Sequence, residues 1–160
     1  MNAIVYRTTP SPIGTLTLAG IGDTLMYLRM SDQAHEPHRT GWLQAQTPVF
    51  DSAVSALDAY FAGTSQEFDI NIELVGTDFQ RRVWRALQTI PYGQTRTYAE
   101  IAAQIGAPQA ARAVGMANGR NPIAIIVPCH RVIGAHGSLT GYAGGIERKQ
   151  KLLDLEQAHR

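Results

Sequence analysis

The chain has 160 residues, 44% hydrophobic and 17% charged, with a net charge of +1. A chain of this size buries roughly 70% of its unfolded surface, and the composition excludes a disordered or collagen-like polymer. A single cysteine excludes an internal disulfide framework, and no apolar run reaches membrane-spanning length, so the sequence reads as a cytoplasmic protein with no membrane partner. The near-neutral total hides a division. Residues 1–76 carry three Lys/Arg against eight Asp/Glu, and residues 77–160 carry eleven against five, a balance of −5 followed by +6. The basic half either meets a polyanion or solvates its own helix faces.

The first half is rich in β-prone runs. "AIVYRTT", "GTLTLAG" and "TLMYLRM" are short strands between Pro, Gly and Asp punctuation. "SDQAHEPHRTGWLQAQTP" reads as a polar loop, and the role of His35–Arg39 within it is open. "DSAVSALDAYFAG" predicts a helix starting near Asp51 or Ser52 and stopping at Gly63. "EFDINIELV" alternates strictly, with Phe68, Ile70, Ile72 and Leu74 on one side, and predicts a half-buried strand.

The character changes at Val75–Thr77. "TDFQRRVWRALQTI" opens on Thr77 with Gln80 three residues later, a capping box, and Phe79, Val83 and Leu87 share a helical face. "TYAEIAAQIG" repeats the device with Thr97, Glu100 and a stop at Gly106. "APQAARAVGMANG" follows, with Pro108 expected at the first helical position. Two short helices around a Gly-containing turn have the form of a helix-turn-helix. The second is made of small residues (Ala110, Ala111, Ala113, Gly115, Ala117), with Arg112 its only charge before Arg120. Such a helix brings its backbone close either to a neighbouring helix or to a nucleic-acid groove. "IAIIV" predicts a short buried strand, "AHGSLTGYAGG" a glycine-rich loop, and "IERKQKLLDLEQAHR" a helix with Leu152, Leu153 and Leu155 inward and basic residues outward.

The lone thiol, Cys129, lies one step past that strand in "VPCHRVIG". A free thiol has a pKa of about 8.5 and needs an imidazole, a cation or a helix N-terminus to become a good nucleophile. His130 and Arg131 are adjacent, and Glu156 is a candidate to orient the imidazole. With one Cys and His at 35, 38, 130, 136 and 159, no zinc-finger spacing exists, so no metal is expected. On the residues alone the thiol is either reactive or structural.

"VPCHRVIG" resembles the active-site motif of the O6-alkylguanine-DNA alkyltransferases, and "FQRRVWRAL", "IPYGQTRTYAEIA", "AARAVGMANGRNP", "LTGYAGG" and "RKQKLLDLE" agree in order. The resemblance covers essentially residues 77–160. It implies an α+β (α/β) fold: an N-terminal β-sheet lobe with a helix over 1–76, RNase H-like, and a mainly helical lobe with a helix-turn-helix over 77–160. It implies direct-reversal repair, in which Cys129 takes the alkyl group from O6-alkylguanine in duplex DNA and is consumed, with no cofactor. His130 would act on Cys129 through a water, Glu156 would orient His130, and Asn121 would tie the helix-turn-helix to the active-site turn. Arg112 would fill the space of a flipped-out nucleotide and Tyr98 would crowd its phosphate. Ala110, Ala111, Gly115, Asn118 and Arg131 complete the expected DNA contacts, in the minor groove of a double strand carrying alkylated bases. Tyr142, Val132, Ala143, Gly144 and Lys149 would form the base pocket, with the Val132 carbonyl accepting from the guanine amino group. The protein is expected to act as a monomer; cooperative clustering on DNA, the range of alkyl groups and activity on O4-alkylthymine stay open. Ala143 stands where some relatives have serine, and the first lobe lacks the cysteines that bind zinc in some vertebrate relatives.

Overall fold

The computed structural model describes residues 3–33 and 41–160; the loop His35–Arg39 lies outside the described residues. The described residues form an α+β fold. Strands β1 (Val5–Thr9), β2 (Leu16–Ile21) and β3 (Thr24–Met30) make an antiparallel meander, and β4 (Leu43–Gln44) adds in parallel to β1, giving the order β3-β2-β1-β4. The stretch read as a loop thus supplies a short edge strand. Helix α1 (Pro48–Phe61) buries Val49, Phe50, Ala53, Leu57 and Tyr60. It starts three residues earlier than expected because Pro48, at its first turn, arrives with φ already set for a helix. Gly63, at φ 76°, ends it as expected, in a left-handed conformation that costs glycine nothing.

"EFDINIELV" keeps its predicted alternation: Phe68, Ile70, Ile72 and Leu74 are half-buried, and the residues between them are exposed. It does not form a regular strand. Its pairing reduces to a bridge at Ile72, held by Leu25 N donating to the Asn71 carbonyl (2.9 Å) and Glu73 N to the Leu25 carbonyl (3.0 Å). Alternation reports which side is covered, and a ladder needs a partner of matching length as well.

Helix α2 (Asp78–Leu87) begins at Thr77 with both halves of the capping box made, and α3 (Tyr98–Gln104) does the same with Thr97 and Glu100. Gly106, at φ 80°, follows the end of α3. Helix α4 (Ala111–Gly119) starts later than predicted: Pro108 lies in the turn, and Ala110 N donates back to the Ala107 carbonyl at 2.8 Å. The Trp84 indole of α2 donates to the Ala117 carbonyl of α4 at 2.8 Å, fixing the helix-turn-helix to the core.

The expected strand "IAIIV" is a tight turn instead. Ile123 bridges Leu28, and the chain then folds back, with Val127 N donating to the Ile123 carbonyl at 3.0 Å. Ile125 sits at φ 72°, a costly position for a β-branched residue. A five-residue apolar run specifies burial, and here a turn satisfies it as well as a strand. The turn leads into a 3-10 turn at Cys129–Arg131 and then β6 (Val132–Ile133), which pairs in parallel with β5 (Arg96–Thr97) just before α3. Helix α5 (Ile146–Ala158) closes the fold. It buries Lys149, Leu152 and Glu156 on one face, so the expectation that its basic residues all point outward fails at Lys149. One apolar core runs through both halves, from Leu16 and Phe50 to Trp84, Ile101 and Leu152. No helix of the described residues is long and apolar enough to cross a membrane.

Candidate active site

Cys129 opens the 3-10 turn with 5% of its surface exposed. Burial pushes its thiol up to about 11 against the opposing pull of the Asn121 amide, the Lys149 ammonium and nearby backbone N–H groups. The thiol is therefore protonated near neutral pH and needs a base to become a nucleophile. The turn that carries it is pinned on both sides. Asn121 donates to the Val127 carbonyl (2.7 Å) and accepts from Ile123 N (3.0 Å), and Asn118 donates to the Cys129 carbonyl (3.2 Å).

Behind the thiol, His130 is fully buried, with Nε2 2.6 Å from Glu156 Oε2. Glu156 accepts five hydrogen bonds from the described residues: from His130 Nε2 and Tyr60 Oη (2.6 Å each) and Arg131 Nη2 (3.1 Å) on Oε2, and from Arg131 Nε (2.8 Å) and Gly93 N (3.1 Å) on Oε1. Burial alone would raise its pKa, but His130 and Arg131 overcome that and hold it at about 2. An ionised carboxylate only accepts, so the bond to His130 puts the ring proton on Nε2. That leaves Nδ1 as a lone pair, buried and without a partner among the described residues. Burial depresses the pKa of His130 and, with smaller help from the Arg131 and Lys149 charges, outweighs the opposing pull of Glu156, so the ring is kept neutral. The arrangement is a masked thiol followed in the chain by a neutral imidazole whose Nδ1 has no partner among the described residues.

A cleft of about 500 Å³ has walls that include Tyr98, Arg112, Gly115, Met116, Tyr142 and Ala143; Cys129 does not line it, but its charge reaches the Tyr98 and Tyr142 hydroxyls. Tyr98 donates to the Thr140 carbonyl (2.9 Å), and Lys149 Nζ donates to the carbonyls of Val132 (2.5 Å) and Thr140 (3.0 Å). Gly144 is held by sterics: a Cβ there would lie 2.4 Å from Met30 Sδ and 2.9 Å from the Tyr142 ring. Ala111 also lines the cleft, and Ala110 caps α4 beside it.

The structure thus brings together Cys129, His130, Glu156 and Asn121, and separately gathers Tyr98, Arg112, Ala111, Gly115, Tyr142 and Ala143 on one cleft. Two residues expected at DNA lie elsewhere. Asn118 is 1% exposed and holds the Cys129 carbonyl, and Arg131 is buried against Glu156 and the Ile90 carbonyl. Both face inward because a buried carbonyl and a buried carboxylate need them. Lys149, expected in the pocket wall, lies beneath it. Tyr60 and Met116 were not expected at all. Met116, 70% exposed and one helical turn after Arg112, was legible as the only large apolar side chain on a face of small ones. Tyr60 gave no signal, since its partner lies 96 residues away.

Residues 4–74 match the family model for the 6-O-methylguanine DNA methyltransferase ribonuclease-like domain, and residues 78–158 match its DNA-binding domain. The chain belongs to the 6-O-methylguanine DNA methyltransferase family. A methylated-DNA–protein-cysteine methyltransferase of Mycolicibacterium paratuberculosis is 67% identical over 156 residues, covering 98% of this chain and 94% of that one. One from Methanosarcina acetivorans is 52% identical, covering 94% and 97%. Among solved structures, Mycobacterium tuberculosis OGT in complex with DNA superposes with a TM-score of 0.93 at 64% identity, covering 97% of this chain and 94% of that one. The 6-O-methylguanine DNA methyltransferase from Pyrococcus kodakaraensis, 19% identical with a TM-score of 0.56, shares the fold.

Proposed function

We propose that this chain repairs DNA by direct reversal, moving the alkyl group of O6-alkylguanine onto Cys129 once per molecule. The observation that carries this reading is the Nδ1 lone pair of a neutral, fully buried His130, without a partner among the described residues, in the position after the chain's only thiol. His130 Nδ1 takes the thiol proton through one water, and Glu156 keeps the ring in the required tautomer. The thiolate attacks the alkyl carbon; a C–S bond forms, the C–O6 bond breaks, and its electron pair leaves with guanine, which takes up a proton. Asn121 and Lys149 stabilise the negative sulfur as it forms. A thioether offers no route back, so the protein is spent.

A base stacked in duplex is out of reach of a buried thiol, so the nucleotide rotates out of the helix at a cost of about a few kcal/mol. Helix α4 enters the minor groove, where its small residues allow close approach and sequence readout is degenerate, as repair of lesions in any sequence requires. Arg112 takes the vacated place in the stack, Tyr98 displaces the phosphate, and Tyr142, Ala143 and the Val132 carbonyl receive the base. Residues 77–160 bind and react, and residues 1–76 support them. The protein works as a monomer in the cytoplasm.

Intact-mass analysis and peptide mapping after mixing with a duplex containing one O6-methylguanine should find a single added methyl on the Cys129 peptide. Cys129→Ser should abolish transfer while leaving duplex affinity largely unchanged. Tight binding with no added mass in the unaltered protein would instead identify a damage-recognition module without chemistry.

A further inference from the structure

Tyr60 belongs to α1, in the lobe that otherwise only supports the site, yet its hydroxyl ends on the same oxygen of Glu156 as His130 Nε2, each at 2.6 Å. We propose that Tyr60 is a positioning residue for alkyl transfer: its O–H shares Glu156 Oε2 with His130 and so limits how strongly the carboxylate draws a proton onto the imidazole. The inference rests on the reading above, in which neutral His130 is the base.

Packing alone does not require the hydroxyl. The Tyr60 ring meets Phe61 and Phe68 at 5.4 Å and Tyr92 at 6.1 Å between centroids, contacts that phenylalanine would make equally well. The O–H is nonetheless buried and placed on a carboxylate rather than on a backbone carbonyl. Burial, and after it the Glu156 charge, push the Tyr60 pKa far up, so it stays a donor throughout the working pH range. The other groups facing this carboxylate are the Arg131 guanidinium, the Gly93 N–H and His130, with Tyr92 beneath Arg131 and with the Lys149 charge also acting on the imidazole. Arg131 neutralises the charge, and Tyr60 occupies the oxygen that the imidazole uses. Removing the hydroxyl leaves Oε2 more basic toward His130, which favours the imidazolium and removes the base at mildly acidic pH.

The test is the pH dependence of single-turnover methyl transfer to duplex for the unaltered protein, Tyr60→Phe and His130→Gln. In Tyr60→Phe the acid limb should move to higher pH by about half a unit or more, a roughly threefold slower reaction on that limb. The high-pH limit should change much less. An acid limb that stays in place, whether or not the overall rate falls, overturns the proposal and leaves Tyr60 a packing residue. If His130→Gln keeps the acid limb of the unaltered protein, His130 is not the base and both readings fail. If Tyr60→Phe does not fold, replacement of tyrosine by 3-fluorotyrosine keeps the ring and strengthens the donor. The limb should then move to lower pH, and an unmoved limb overturns the proposal.

Discussion

Behind Cys129, Glu156 takes five hydrogen bonds from four residues of both lobes: Tyr60 on α1, Gly93 in the turn after α2, and His130 and Arg131 on the 3-10 turn; the cleft, by contrast, is lined from α4 by small residues, one exposed methionine and one long cation. The contrast follows from where each surface finds its partners. A carboxylate taken out of water must be satisfied inside the protein, because an unpaired buried charge costs several kcal/mol. A surface that binds a polyanion leaves its donors unsatisfied until the partner arrives, and it gains from side chains short enough to let the backbone approach. The rear wall is thus complete in the free protein, and the front is completed by DNA.

If the rear wall is an integrated charge network, its loss should show most. Glu156→Gln strands Arg131 and should cost about 3–5 kcal/mol, lowering the melting temperature by roughly 10 °C. The same carboxylate links stability to pH. Its folded pKa, about 2, lies below the unfolded value, so its contribution is complete above the ordinary carboxylate range and is lost as pH falls toward 2. Urea titrations across this window should show that loss in the unaltered protein and not in Glu156→Gln. A matching pH dependence in the variant would mean that the network is not what sets acid stability.

The front face should respond in the opposite way, in activity and not in melting. Arg112→Ala should slow transfer from duplex about 10- to 100-fold, in line with a few kcal/mol of unstacking. Reaction with the free alkylated base should hardly change, and equal losses on both substrates would refute the role given to Arg112. The smallest effect is expected at Tyr98. Tyr98→Phe removes one hydrogen bond to the Thr140 carbonyl and should cost about 1 kcal/mol or less. Tyr98→Ala should cost more if, as proposed, the bulk of the ring meets the phosphate; the reverse order would break that account.

What the sequence reveals of this contrast depends on how local each device is. The capping boxes at Thr77–Gln80 and Thr97–Glu100 are complete within four residues, and both helices start where those residues say. The cleft was legible for a similar reason, since α4 carries its small residues and Arg112 in one run. "IAIIV" and "EFDINIELV" announced burial but not the geometry that achieves it, because a turn or a lone bridge covers apolar side chains as well as a ladder does. Arg131, Asn118 and Lys149 look like surface polar residues in a basic half. Only the fold reveals the carboxylate and the carbonyls that draw them inward. Tyr60 is the extreme case, contributing across a separation that no local pattern encodes.

Asn118 lies near the end of α4 and Asn121 two residues past it, and between them they grip the carbonyls on either side of Pro128. The helix that carries Arg112 and the turn that carries Cys129 are therefore fastened to each other by two side-chain amides. If Arg112 and Cys129 have the roles proposed for them, the pair works as a gauge: the distance between probe and nucleophile is set before any DNA is bound, and only a nucleotide swung out far enough to bridge it would deliver its substituent to the sulfur.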